Sequence, residues 1–145
     1  MASRASSAVL VESDFLFALR DSDPHHAHAA KALEMHKGGA IAISVLSSSD
    51  FEVQAVLHSR GLGNDVIEDA LSLMDAILAQ YGVRRFVSLE LSDTVLSERL
   101  RQNYRGLGFF DSLHAAASHR LGIRLLSSEG IYESLGLQVM DLDEL

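Results

Sequence analysis

The chain has 145 residues, 48% of them hydrophobic, with one proline, so it can bury a full hydrophobic core and we expect one domain over residues 1–145 rather than a disordered chain. It has no cysteine, which excludes disulfides and thiolate ligands and leaves carboxylate, imidazole and hydroxyl groups for any metal or catalytic chemistry. A formal charge of −8 argues against a basic nucleic-acid-binding surface, although carboxylates gathered on a divalent cation would offset part of that charge locally.

The start of the chain, MASRASS, is short and polar, and no apolar run approaches the length that crosses a membrane. We therefore expect a cytoplasmic protein with no membrane contact.

Short apolar segments alternate with longer amphipathic ones along the whole chain. The predicted strands cover residues 8–11, 40–45, 84–89, 123–126 and 137–140. The predicted helices begin at Asp14, Asp23-Pro24, Ser47, Asn64, Ser92, Phe109 and Ser128. This alternation is typical of an α/β fold with three layers, in which helices cover both faces of a mostly parallel sheet of about five strands.

Three of the helix starts carry a specific capping prediction. Asp23 with Pro24 has the pattern of an N-cap followed by proline at the first helical position. Ser47 with Asp50 three residues later has the pattern of a capping box, and Ser92 is the expected cap of its helix. Gly122 is the expected C-terminal stop of the helix from Phe109.

Four acids stand close to predicted strand ends. Glu12 follows the first strand, Asp50 follows the second across a short turn, Glu129 follows the fourth, and Asp111 opens the helix before the fourth. Each acid alone is explained by helix capping and the helix dipole. Parallel strands, however, present their carboxyl ends at one edge, where four acids would converge and require a cation such as Mg²⁺ or Mn²⁺.

The order of these segments resembles the PIN domain, the metal-dependent ribonuclease fold of VapC-type toxins. VLVESDFLFAL resembles the opening strand with its first acid, and DPHHAHAA resembles the helix that follows. ISVLSSSD, GLGFFDSLHAAAS and LLSSEGIYESLGLQV resemble the second, third and fourth acidic segments. The resemblance implies that Glu12, Asp50, Asp111 and Glu129 are the catalytic and metal-binding residues, with Asp14 as a further metal ligand and Ser127 as a supporting group.

The acid types depart from the family pattern, which usually has Asp first, Glu second and Asp fourth. This chain has Glu12, Asp50 and Glu129 at those positions, and only Asp111 keeps the usual type. Because Mg²⁺ demands near-ideal octahedral geometry, changes of one methylene alter the site. Either Asp14 compensates as a direct ligand, or the site has lost its activity.

The resemblance implies a Mg²⁺- or Mn²⁺-dependent endoribonuclease, the toxin of a VapBC-type toxin-antitoxin pair. Its expected partners are an RNA substrate, a second copy of the chain in a homodimer, and an antitoxin protein. The alternative is a catalytically degraded PIN-like domain that serves as an RNA- or protein-binding subunit.

Other polar groups admit two interpretations each. Arg99, Arg101 and Arg105 either contact the RNA backbone or complement a helix C-terminus in solvent. His25 and His28 share a helical face and either form a second metal site or mark an exposed helix start, and His114 lies either beside the acids or in the core.

Overall fold

The computed structural model describes residues 8–145, and the polar start on which the localisation expectation partly rests lies outside them. Five strands form one all-parallel sheet in the order β3-β2-β1-β4-β5. They are β1 Ala8–Val11, β2 Ala42–Leu46, β3 Arg85–Val87, β4 Arg124–Ser127 and β5 Val139–Asp141. The predicted α/β class with a five-stranded sheet is confirmed.

Helices cover both faces of this sheet. They are α1 Ser13–Phe17, α2 His26–Lys37, α3 Ser47–Ser59, α4 Asn64–Gln80, α5 Leu91–Asn103, α6 Phe109–Leu121 and α7 Ile131–Ser134, followed by a 3-10 turn at Leu142–Glu144. Within the described residues, no helix has the length and apolarity needed to cross a membrane.

The central strand β1 supplies side chains to two hydrophobic clusters. Val9 and Val11 pack in the larger one with residues of α1 to α4, whereas Leu10 packs in the other with Ala115 and Ala117 of α6. All three β1 residues are fully buried. This alternation follows from the two-residue period of a strand and confirms the three-layer arrangement.

Three capping predictions are wrong. α2 begins at His26 rather than Pro24, although Asp23 Oδ1 accepts a hydrogen bond of 2.8 Å from the His25 amide in the preceding turn. α3 begins at Ser47 directly after β2, so Ser47 is already helical and forms no capping box with Asp50. The capping box of α5 is made by Glu90 and Asp93 instead of Ser92.

The end of α6 agrees with its sequence pattern. Gly122 has φ +65°, the left-handed conformation that a glycine adopts most easily, and its amide closes the last turn of the helix. The chain then enters β4, which pairs with β1 so that Val11 lies opposite Leu126. This register brings the residues after β1 and β4 together.

Candidate metal centre

The acidic centre lies at the carboxyl ends of β1 and β4. From β1 the chain order runs to β2 and β3 on one side and to β4 and β5 on the other. A parallel sheet opens a crevice at such a switch point. Glu12 follows β1 there and Ser127 ends β4, and Ser127 Oγ donates a hydrogen bond of 2.5 Å to Glu12 Oε1.

Glu12 is bound inside the protein by both of its oxygens. Its Oε2 accepts hydrogen bonds from His114 Nδ1, at 2.8 Å, and from the Tyr132 hydroxyl, and only 2% of the residue is exposed. Burial raises the pKa of the Glu12 carboxyl, but the hydrogen bond and charge of His114, with the bonds from Ser127 and Tyr132, outweigh burial and hold this pKa below its usual value. Glu12 is therefore an ionised, internally bonded carboxylate.

His114 is the basic residue of this buried network. The ring is fully buried, and its Nε2 lies 3.6 Å from Glu52 Oε2 and 3.5 Å from Ser49 Oγ. Burial lowers the pKa of His114, but the bond to Glu12 and the charges of Glu12, Glu52 and Asp111 raise it above the usual value. The Nδ1 of His114 is engaged by Glu12, so the ring holds this carboxylate in place.

Glu52 on α3 is an acid of the centre that the sequence analysis missed. Its side chain is 17% exposed, and its Oε2 is buried without a hydrogen-bond partner. Burial raises the pKa of Glu52, the charges of Asp111 and Glu12 raise it further, and His114 and a bond with Ser13 oppose the rise. This oxygen lies 3.6 Å from His114 Nε2 and accepts no hydrogen bond from residues 8–145, so it keeps lone pairs for a cation.

Asp50, the predicted second acid, points away from the centre. It is exposed and lines a separate cavity of about 260 Å³ with Phe86 and Asp75, and burial followed by the charge of Asp75 raises its pKa. Residues two apart on an α-helix differ by about 200° in direction, so Asp50 and Glu52 lie on opposite faces. The four-residue spacing of Ser49, Val53 and Leu57 was the available sequence signal for the inner face of α3, which Glu52 flanks, and the structure buries all three.

Asp111 and Glu129 complete the acidic centre. Asp111 lies in the first turn of α6, half-buried, and its Oδ1 is 3.2 Å from the Tyr132 hydroxyl. Burial and the charge of Glu12 raise the pKa of Asp111. Glu129 is exposed in the loop after β4, and burial followed by the charges of Asp111 and Glu12 raises its pKa. In both residues the ionised form is disfavoured by the negative charges of the neighbouring acids.

Asp14 connects α1 to the loop after β4. Its Oδ2 accepts hydrogen bonds of 3.0 Å from both the amide and the hydroxyl of Ser128. Burial and the charge of Glu12 nevertheless raise the pKa of Asp14 to about 7. Asp14 thus lies at the edge of the centre, with Glu129 on the same cavity wall.

The other predicted polar groups have different surroundings. Arg101 forms an ion pair with Glu98 and lies 5.1 Å from the Phe109 ring centroid, while Arg99 and Arg105 are exposed. The predicted histidine pair reaches the C-terminal turn, with His25 Nδ1 2.7 Å from Asp143 Oδ1 and His28 Nδ1 3.2 Å from the Leu145 carbonyl oxygen.

The donor set fits a hard divalent cation. Within residues 8–145, one group of three metal-ligating residues has ligand atoms within 4.8 Å of one another, and it consists of Glu12, Asp111 and His114. Because both oxygens of Glu12 and the Nδ1 of His114 are engaged in the network, the oxygens left for a cation belong to Asp111, to Glu52, whose Oε2 accepts no hydrogen bond from the described residues, and to the nearby Glu129. Carboxylate oxygens are the ligands that Mg²⁺ and Mn²⁺ prefer.

Comparison with solved structures shows the same fold in toxins and related proteins. VapBC2 from Rickettsia felis, solved with a fragment of its promoter DNA, is 15% identical with a TM-score of 0.69 over 92% of this chain and 97% of that one. VapC20 from Mycobacterium tuberculosis, described as a toxin that cleaves the sarcin-ricin loop, is 18% identical with a TM-score of 0.66 over 89% and 95%. PAE2754 from Pyrobaculum aerophilum is 21% identical with a TM-score of 0.63 over 94% and 93%.

No curated protein matches the sequence. The PIN domain family model matches residues 9–133, a span that runs from β1 through α7 and includes every acid of the centre. The chain therefore belongs to the PIN domain family.

Proposed function

We propose that the protein is a metal-dependent endoribonuclease that hydrolyses RNA phosphodiester bonds, and that it is the toxin of a VapBC-type pair. The observation that carries the nuclease proposal is the gathering of Glu12, Asp111, Glu52 and Glu129 in one centre, where burial and the charges of neighbouring acids raise the pKa of Asp111, Glu52 and Glu129. Such an arrangement is unfavourable for an empty site and suits a bound cation.

The cation is Mg²⁺ or Mn²⁺, held by Asp111, Glu52 and Glu129, with Asp14 at the edge. With Glu52 in place of Asp50, the second acid is of the type that the PIN family usually has. When bound, the cation supplies Lewis-acid chemistry, polarising the phosphodiester and lowering the pKa of a water for in-line attack.

The surrounding side chains hold the centre rather than attack the substrate. Ser127 and Tyr132 donate to Glu12, and burial with the charges of Glu12 and Asp111 raises the pKa of Tyr132, so its hydroxyl keeps its proton. Within the described residues, no serine or tyrosine of the centre is activated as a nucleophile. A mechanism in which water attacks directly fits this arrangement.

A second candidate function is supported by Glu12. Where the family usually has the shorter Asp, Glu12 extends inward and both of its oxygens are bonded within the protein. If the centre requires that carboxylate as a ligand, the domain is a degraded PIN protein that binds RNA or protein without cleavage. This alternative predicts weak metal affinity.

The toxin proposal includes its partners and location. Structures of the same fold include toxin-antitoxin complexes from Klebsiella pneumoniae and Haemophilus influenzae, at TM-scores of 0.62 and 0.65. We propose that this chain, as one domain, likewise pairs with an antitoxin, forms a homodimer and acts on RNA in the cytoplasm.

The deciding experiment incubates purified protein with a mixed RNA pool in Mn²⁺, Mg²⁺ or EDTA, and measures Mn²⁺ binding by calorimetry. Asp111→Asn is compared with Asp65→Asn, which removes an acid from the first turn of α4, outside the centre. The nuclease proposal expects cleavage in metal, none in EDTA, and loss of cleavage only in Asp111→Asn. Folded protein that neither binds Mn²⁺ nor cleaves RNA would support the degraded domain.

A further inference from the structure

A cavity of about 360 Å³ opens beside the metal centre. Asp14 and Glu129 of the centre line one side, and Phe17, Arg20 and Arg60 contribute to the rest. This volume lies at the lower end of the range of small-ligand sites. A molecule bound at the centre would therefore extend directly into this cavity.

Two arginines of this cavity have no acidic partner. Neither Arg20 nor Arg60 forms an ion pair with an acid among residues 8–145. The Arg60 guanidinium lies 5.4 Å from the Phe17 ring centroid, a cation–π contact that holds its position and leaves its N–H groups available.

The acids that share the cavity are engaged elsewhere. Asp14 accepts hydrogen bonds from Ser128, and Asp23 accepts one from the amide of His25. The ring of His25 in turn pairs with Asp143. Three carboxylates, those of Asp14, Asp23 and Glu129, line the same cavity, but among residues 8–145 none of them is within ion-pair distance of Arg20 or Arg60, so both guanidinium groups keep N–H donors for a ligand.

We propose that Arg20 and Arg60 bind a backbone phosphate of the RNA strand adjacent to the phosphate that is cleaved. This inference rests on the proposed function and assigns the substrate-positioning residues of that site. A strand with one phosphate at the cation and the next in this cavity presents regularly spaced negative charges to both. Guanidinium groups bind phosphate with paired N–H donors, which fixes the strand's register without reading its sequence.

The test compares two double variants that each lose two positive charges. Arg20→Ala with Arg60→Ala removes the cavity pair, and Arg84→Ala with Arg85→Ala removes an exposed pair at the amino end of β3, the opposite edge of the sheet. Binding of a short fluorescein-labelled single-stranded RNA is followed by anisotropy in EDTA, where no metal-dependent cleavage occurs. Thermal unfolding in the same buffer shows that each variant is folded.

We expect the cavity variant to bind RNA about 10-fold more weakly, and the slope of log K against log salt to fall by about 0.7, as the loss of one phosphate contact with a single strand predicts. We expect the double variant Arg20→Lys with Arg60→Lys, which keeps both positive charges, to keep most of the wild-type salt dependence of RNA binding. With Mn²⁺ present, the cavity variant raises KM and leaves kcat unchanged. Equal RNA affinity and slope in both alanine pairs overturn the proposal, as does wild-type protein that binds no RNA at about 50 mM salt.

The outcomes separate this inference from the proposed function. Arginine-dependent RNA binding without cleavage in any metal refutes the nuclease and leaves the RNA-binding cavity in place. Metal-dependent cleavage with an unchanged KM in the cavity variant supports the nuclease and refutes the role of the two arginines in RNA binding. If the cavity variant loses affinity for a poly-glutamate peptide but keeps its affinity for RNA, the cavity binds protein and the inference is wrong.

Discussion

Replacing Glu52 by Gln is expected to weaken Mn²⁺ binding far more than replacing Asp50 by Asn. The two acids are two residues apart on α3, and each substitution removes one negative charge with little change in volume. Glu52 Oε2 is buried 3.6 Å from His114 Nε2, whereas Asp50 is exposed on the opposite face of the helix. The pair therefore tests which face of α3 belongs to the metal centre.

Coulomb's law sets the size of this difference. Two unit charges about 4 Å apart in an effective dielectric of about 20 interact by about 4 kcal/mol, while two charges about 10 Å apart through water interact by about 0.4 kcal/mol before salt screening. The glutamine side chain of the Glu52→Gln variant keeps one oxygen that can bind the metal. It is also neutral, so the protein no longer has to bury a charged carboxylate. The net loss in Glu52→Gln is therefore smaller, about 1.4 to 2.8 kcal/mol, which is about 10- to 100-fold in metal affinity.

Calorimetric titration of Mn²⁺ into each variant at neutral pH measures this difference, with unfolding midpoints in EDTA as the control for folding. We expect Asp50→Asn to stay within about twofold of the wild type. An equal loss in both variants, or a Glu52→Gln affinity that equals the wild type, would show that the assignment of Glu52 to the centre is wrong.

Three further predictions concern the stability of the metal-free protein. Tyr132→Phe removes a donor to two carboxylates, so urea unfolding should show a loss of about 2 kcal/mol, and an unchanged unfolding midpoint would contradict the network. Arg120→Ala leaves Asp93, which is 1% exposed, without its charged partner, and should lower the urea unfolding midpoint more than Glu98→Ala, which breaks an exposed ion pair; equal midpoints would contradict this. The pKa of Asp14 is raised from 3.8 to about 7, so its contribution to stability is fully present below pH 3.8 and is lost as pH rises through 7. In EDTA the Tm should accordingly be lower at pH 7.5 than at pH 5. Added Mn²⁺ should raise the Tm much more at pH 7.5 than at pH 5. An equal rise in Tm with Mn²⁺ at the two pH values would contradict this prediction.

The sequence was sufficient to predict the fold because its signals are local. The apolar strands, the amphipathic helices between them and the glycine after α6 each depend on neighbouring residues. The parallel arrangement then follows from the alternation of strands with helices. The central position of β1 explains why the first acid, Glu12, is the most deeply buried of the centre.

The tertiary structure decided which side chains meet. Its place after the second predicted strand and the family resemblance drew attention to Asp50, but β2 continues directly into α3, and the packing of Val53 and Leu57 against the core turns Glu52 inward instead. The pairing of Glu12 with His114 joins residues 102 apart in the sequence, so no local pattern encodes it. Local sequence patterns therefore determined the elements and the edge where the acids gather, while the rotation of each helix against the sheet determined the members of the centre.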